Sequence, residues 1–212
     1  MTEMKQPKKV IEFDFNGGEN VAPEAEEKSV QEQLQEMSEE TVVVHHDPEL
    51  TLEEVTGALF NGEIGVGYIV AKIYRNHFVY NYTRKHWYKF NGVLWEIDKK
   101  QEVIDAVRNT HRFLSEFLYE HLRGLTKDNE KYIKSVINSM TNYDKMKKIL
   151  DQARSGKDGL SVTGDEFDSH RQYIGAPNGI IDLHTGNLLP GDPEMYISKK
   201  AGTAYDPEPA YP

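Results

Sequence analysis

His86-Trp87-Tyr88-Lys89-Phe90-Asn91-Gly92-Val93-Leu94-Trp95-Glu96 is the stretch on which the fold turns. Two runs of β-forming residues flank Asn-Gly, a pair that tolerates the positive φ angles of a type I′ turn. The spacing predicts a two-residue hairpin with Phe90 opposite Val93 and Tyr88 opposite Trp95. The Tyr88/Phe90/Val93/Trp95 face is expected against the core. Trp87 then faces Glu96, and Lys89 faces Leu94, on the other side. Just upstream, His77–Tyr82 alternates in the same manner and reads as a further strand.

Helices surround this β region. Before it, Asp47-Pro48 offers an N-cap followed by proline, and Thr51-Leu52-Glu53-Glu54 reads as a capping box for a helix to about Phe60. Asn61-Gly62 ends that helix. A second is expected over Glu63–Tyr74, with Ile64, Tyr68 and Ala71 on one face and Ile69 and Ile73 nearby. After the hairpin, residues 101–123 place Ile104, Val107, His111, Leu114, Leu118 and His121 at the period of a buried stripe, and Gly124 stops the helix. Residues 128–140 bury Ile133, Val136, Ile137 and Met140, with Lys127, Lys131 and Lys134 on another face. Residues 142–153 bury Met146, Ile149 and Leu150, with Lys145, Lys147 and Lys148 outside. Gly156–Gly164 reads as a loop. Tyr173-Ile174-Gly175 and Asn178–Leu183 lead through Thr185-Gly186-Asn187 into Leu188-Leu189, a second hairpin with Gly186 at positive φ. The fold class expected is α+β: a mainly helical middle with two small antiparallel β-hairpins. Residues 1–46 read as an acidic, disordered arm, 47–205 as the folded domain and 206–212 as the start of a linker.

Composition narrows the function. The 212 residues carry no cysteine, which excludes disulfides, zinc–thiolate sites and a cysteine nucleophile. No apolar run approaches the roughly 18–20 residues of a membrane span. Met1–Val10 has lysines but no apolar stretch behind them, so no secretory signal is read, and the expected location is the cytoplasm. The net charge of −10 conceals an asymmetry. Residues 1–60 carry −11 and residues 161–212 carry −5, whereas residues 71–160 carry +7. Phosphate binding follows the local field, so a basic middle keeps nucleic acid open.

Several constellations could carry chemistry. The only Gly-Lys, Gly156-Lys157, is followed by Asp158 and has Asp at position 151, so no phosphate-binding P-loop exists. Gly62-Glu63-Ile64-Gly65-Val66-Gly67 follows a helix, not the strand a dinucleotide loop requires. Asp165, Glu166, Asp168 and His170 could gather a hard cation, but read better as a solvated, capping acidic loop. His45-His46-Asp47 reads as capping, and His111 and His121 as hydrogen-bonded core residues. Asp182 and His184 lack a neighbouring nucleophile. Arg84-Lys85-His86-Trp87-Tyr88-Lys89 is more informative, because single strands are held by cations on phosphates and by rings on bases. The candidate nucleic-acid residues are Arg84, Lys85, Trp87, Lys89, Lys127, Lys131, Lys134, Lys145 and Lys148.

Two segments together resemble a known family. Trp87–Asp98 has the form W-x-x-F-N-G-x-x-W-x-x-D. Asn178–Leu188 has the form N-G-I-I-D-L-x-T-G-x-L, and Tyr205-Asp206-Pro207 follows. In this order they resemble the domain preceding the superfamily 3 helicase motor in phage and plasmid primases and poxvirus-type primase-helicases. The resemblance covers roughly residues 50–212. It implies an accessory DNA-binding and oligomerisation collar beside a ring-shaped helicase in a bacterial host. Implied partners are single-stranded or forked DNA, the motor in cis or in trans, and further copies of the chain, with no membrane. ATP and magnesium would belong to the motor, which the sequence stops short of, and no cofactor is expected in these residues. The segment before the resemblance is too short for a primase domain, so no polymerase carboxylates carry over. Two other readings stay open: a protein-interaction module whose acidic arm mimics DNA, and a small metal-dependent hydrolase using Asp165, Glu166, Asp168 and His170, or Asp182 and His184.

Overall fold

Thr51 begins the helical part of the fold. A computed structural model describes residues 43–46, 48–121 and 125–207, all within one unit that spans Ser38–Pro212. The Thr51 hydroxyl accepts the Glu54 N–H at 3.2 Å, and the Glu54 carboxylate accepts the Thr51 N–H at 3.1 Å. This is the expected capping box, but Pro48 does not occupy the first helical position. Strand β1 (Val43–His46) pairs antiparallel with β2 (Glu49–Thr51), which leaves Pro48 in the turn between them. The acidic arm before residue 43, the expected stop at Gly124 and residues 208–212 lie outside the described residues.

Helix α1 (Leu52–Phe60) passes through Asn61 directly into α2 (Gly62–Ile73). The buried face of α2 is Val66, Ile69, Val70 and Ala71 with Gly65 and Gly67, whereas Ile64 is 66% exposed and Tyr68 45% exposed. Of the residues expected to act together, Ala71 and Ile69 are buried, whereas Ile64 and Tyr68 turn to solvent. Glycine is the reason: a Cβ on Gly65 would lie 1.9 Å from the Ala58 carbonyl oxygen. One on Gly67 would lie 2.5 Å from Gln152 Cβ. The bare backbone lets neighbouring helices close in on that side, and a hydrophobicity pattern scores glycine as neutral.

Three more helices complete this half: α3 (Val103–His121), α4 (Lys127–Ser139) and α5 (Tyr143–Ala153). Asp98 starts α3 by accepting the N–H groups of Glu102 and Val103, each at 2.9 Å. The α3 stripe is rotated from expectation. Thr110 and Phe117 are buried with Ile104, Val107 and Leu114, while His111 and Leu118 are half-buried. Thr110 fits because its hydroxyl donates back to the Ala106 carbonyl at 2.9 Å. His121 is not the hydrogen-bonded core residue expected. Its ring stacks on Phe117 at 5.2 Å, and its Nδ1 has no hydrogen-bond partner among the described residues. In α4 and α5 all but one of the expected core residues are found: Ile133, Ile137 and Met140 are buried, as are Met146, Ile149 and Leu150, whereas Val136 is half-buried.

Strands β3 (Phe78–Asn81), β4 (His86–Phe90), β5 (Trp95–Ile97) and β6 (Ser161–Val162) form a sheet in the order β5-β4-β3-β6. Phe90 pairs with Trp95 and Tyr88 with Ile97, so the β4–β5 loop has four residues, not two. Asn91 enforces this, because its Oδ1 accepts the N–H groups of Val93 at 3.0 Å and Leu94 at 2.8 Å. The slip is by two positions, which preserves facing. Tyr88 and Trp95 are both 2% exposed and pack with Val79 and Phe167. Strand β6 is a correction to the loop expected over Gly156–Gly164. It pairs parallel with β3, Tyr80 opposite Ser161. A two-residue strand that pairs with residues 81 positions earlier leaves no local turn signal.

The second sheet, β7 (Tyr173–Ala176), β8 (Gly179–Asp182) and β9 (Leu188–Leu189), is antiparallel throughout. Gly186 has φ +73° in the β8–β9 turn, as its position predicts. Ile180, Leu94 and Ile197 form a cluster between the two sheets. The strap after the 3₁₀ turn Pro193–Met195 bonds to both: Ile197 O accepts Trp95 N–H at 2.9 Å, and Lys199 O accepts Gly175 N–H at 3.1 Å. The protein is thus α+β, helices and sheets each with their own core. No helix among the described residues is long and apolar enough to cross a membrane.

Candidate nucleic-acid interface

Lysine spacing on α4 sets one charged surface. Lys127, Lys131 and Lys134 recur at four and three residues, so they share a helix face. All three are exposed and line a shallow open depression with Glu130, Ser135 and Asn138. Lys134 is paired with Glu130. Among the described residues, Lys127 and Lys131 have no carboxylate within 4.0 Å. On α5 the predicted lysines separate. Lys145 is half-buried and paired with Glu63 of α2, whereas Lys148 is exposed with no ion pair among the described residues. Lys147 lies 4.3 Å from the Tyr143 ring centre and 3.8 Å from Asp144.

The β3–β4 hairpin sets a second surface. Its turn is fastened by Asn81, which accepts the Arg84 N–H on its side chain at 2.9 Å and the Lys85 N–H on its carbonyl at 2.8 Å. Lys85 has φ +56° and is exposed. The Arg84 guanidinium donates to Tyr88 Oη at 2.9 Å, and that bond raises its pKa. Trp87 pairs with Tyr80, and Lys89 with Phe78, on the face opposite the Tyr88–Trp95 core. Trp87 is half-buried, its ring edge-on to Tyr80 at 5.3 Å. Lys89 donates to both Glu102 oxygens at 2.7 and 2.9 Å, a hydrogen bond that raises its pKa and neutralises its charge in place.

Three residues on this face escape a sequence reading. Tyr80 and Tyr82 lie edge to face at 5.2 Å, and the Arg154 guanidinium sits 4.2 Å from the Tyr80 ring centre and 6.0 Å from that of Tyr82. The alternation over His77–Tyr82 contains the two tyrosines. Arg154, at the end of α5, carries no local signal that it reaches the sheet.

The acidic candidates are turned to backbone. Glu166 accepts the N–H groups of Thr163 at 3.2 Å and Gly164 at 2.8 Å. Asp168 accepts those of Ser198 at 2.8 Å and Lys199 at 3.0 Å, and the Ser198 hydroxyl at 2.8 Å. Burial pushes both carboxyls up, but these bonds outweigh it and hold both below the ordinary carboxylate range. Asp182 accepts from the His184 N–H and the Thr185 hydroxyl, each at 2.9 Å, and is likewise lowered, by the His184 N–H first. His170 packs edge-on to Tyr173 at 6.2 Å. Among the described residues no three His, Asp or Glu side chains gather as metal ligands.

The model of the family described as D5 N terminal like matches residues 67–212. The chain belongs to the D5 N-terminal-like family. The match begins within α2 and takes in the sheets β5-β4-β3-β6 and β7-β8-β9 and helices α3 to α5, but not the β1–β2 pair. Members of this family are the domains that stand before the motor of D5-like primase-helicases, so the protein is a primase-helicase N-terminal module of DNA replication. No curated protein and no solved structure matches the chain.

Proposed function

We propose that this module holds single-stranded or forked DNA beside a helicase ring and contributes to assembly of that ring, in the cytoplasm of a bacterial host. The α4 face carries this reading: Lys127 and Lys131 stand exposed, in no ion pair among the described residues although Glu130 lines the same depression, at a spacing that suits successive phosphates. Arg84, Lys85 and Lys148 add exposed cations on other elements. Lys89 and Lys145 contribute less, since Glu102 and Glu63 already compensate them. The role is positional, and the helicase motor in cis or in trans would supply ATP and magnesium chemistry.

The test is the salt dependence of binding to a labelled single strand. Removing one phosphate-binding lysine should flatten the slope of log K against log salt by about 0.7. The Lys127→Ala/Lys131→Ala double variant should therefore flatten it by about 1.4. Affinity independent of salt, or no binding at all, would remove the DNA role. In that event the acidic arm acting on a partner protein becomes the better account, and a fusion to the motor should assemble without gaining DNA affinity.

A further inference from the structure

We propose that the β3–β4 hairpin tip is a reading head for an unpaired base, with Tyr82 as the stacking ring. The inference rests on the DNA role above and names the nucleic-acid state that this tip selects. Tyr82 is 48% exposed, and its hydroxyl has no hydrogen-bond partner among the described residues. A buried tyrosine usually bonds its hydroxyl to a protein partner, whereas this one leaves ring and hydroxyl open to solvent.

Its setting is rigid. The Tyr82 N–H donates to the Val162 carbonyl at 3.0 Å, and the next N–H, of Thr83, donates to the Thr163 carbonyl at 3.2 Å. Behind the ring, Tyr80 stands edge-on at 5.2 Å, and Trp87 in turn braces Tyr80 at 5.3 Å. Arg154, fixed by Asp151 at 2.8 Å, lies over Tyr80. A base arriving on Tyr82 would therefore meet a ring already ordered, with little side-chain entropy left to lose.

The charges around it match a nucleic-acid strand. Arg84 and Lys85 follow Tyr82 closely at the turn, and neither has a carboxylate within 4.0 Å among the described residues. Arg84 commits one guanidinium N–H to Tyr88 Oη, so Lys85 is the uncommitted cation of the turn, and a ring beside such a cation is the pairing used to hold single strands, rings for bases and cations for phosphates. Inside a duplex the base faces are covered by their neighbours, so a ring on a hairpin tip can stack only where a base is unpaired. Trp87, the ring that the sequence singles out, is half-buried under this arrangement and acts as its brace.

The experiment compares the full chain with its Tyr82→Ala and Tyr82→Phe variants on two labelled oligomers of equal length, oligo-dT and a fully abasic strand. Both carry the same phosphates, and only one carries bases. Tyr82→Ala should weaken oligo-dT binding roughly 5- to 150-fold, the range for removal of one stacked ring, and leave abasic binding and the salt slope unchanged. Tyr82→Phe should keep oligo-dT affinity within about twofold, which separates ring loss from misfolding. The proposal is overturned if Tyr82→Ala shifts both oligomers equally or neither. Should the wild type hold both strands alike while the α4 lysine variants weaken both, the DNA role stands and only the reading head is lost. Should the wild type bind neither strand, both fall together.

Discussion

Replacing Gly65 with alanine should drive apart the first two helices of the fold. The new methyl group would sit 1.9 Å from the Ala58 carbonyl oxygen, 2.5 Å from its carbon and 2.7 Å from Cα. The closest ordinary C···O approach is about 3.3 Å, so a gap of about 1.4 Å must open. Every one of those atoms is backbone, so no side chain can swing away, and α1 must shift against α2. That shift would loosen Leu59, Val66, Ile69 and Val70, all 0% exposed. Overpacking costs about 1–3 kcal/mol, and a clash with backbone belongs at the upper end. Alanine returns about 1 kcal/mol of helix propensity. The net expectation is a loss of about 2 kcal/mol, or roughly 1 M in urea midpoint at an m value typical of small domains. Gly57→Ala is the control. It lies in α1, and its added Cβ has nothing within 4 Å. It should gain about 0.5–1 kcal/mol. Urea titration followed by far-ultraviolet circular dichroism reads both variants. The packing argument is refuted if the two midpoints move in the same direction, or if Gly65→Ala does not fall below wild type.

Other perturbations test different parts of the molecule. Asp168 has a folded pKa below its ordinary value, so its stabilisation is complete above about pH 4, the unfolded value, and fades as pH falls through the folded one. Asp168→Asn should thus cost about 2 kcal/mol at neutral pH, where charged hydrogen bonds are lost, and the gap from wild type should close in acid. A gap constant between pH 7 and pH 3, read by chemical denaturation, would contradict that assignment. Lys89→Ala should change single-strand affinity less than Lys131→Ala, because Glu102 already offsets the Lys89 charge. Equal losses in a fluorescence-anisotropy titration would show that the ion pair opens on binding. Trp95→Phe should lower the denaturation midpoint, since it removes the indole N–H donated to the Pro193 carbonyl at 2.8 Å, and an unchanged midpoint would show that bond to be dispensable.

What could be read from the sequence was whatever is encoded locally. The Thr51 box, the buried faces of α4 and α5, and the Gly186 turn depend on residues within a few positions of each other. The facing of Tyr88 and Trp95 survived a two-position slip because β side chains alternate with period two. Failures came where the partner is distant or the cue is a missing side chain. Strand β6 exists because β3 offers it an edge, and α2 turns its glycines inward because Ala58 and Gln152 come so close. The site divides on the same line. Exposed lysines on α4 follow from spacing, whereas the compensation of Lys89 by Glu102 and Lys145 by Glu63 is tertiary. Tyr82 is in a run that reads as strand, but its presentation at the tip depends on Tyr80, Trp87 and Arg154 being assembled behind it.

The strap from Met195 to Ala201 has a mechanical consequence. Ile197 takes the Trp95 N–H on one flank, while Lys199 and Ala201 exchange bonds with Gly175 on the other, in a parallel bridge. Tension drawn along the backbone at residue 201 would be shared by both sheets at once, as shear across bonds that must yield together. Cooperative rupture of that kind resists far more force than unzipping one bond at a time, and it makes this short seam the clamp through which a tug at one sheet is felt by the other.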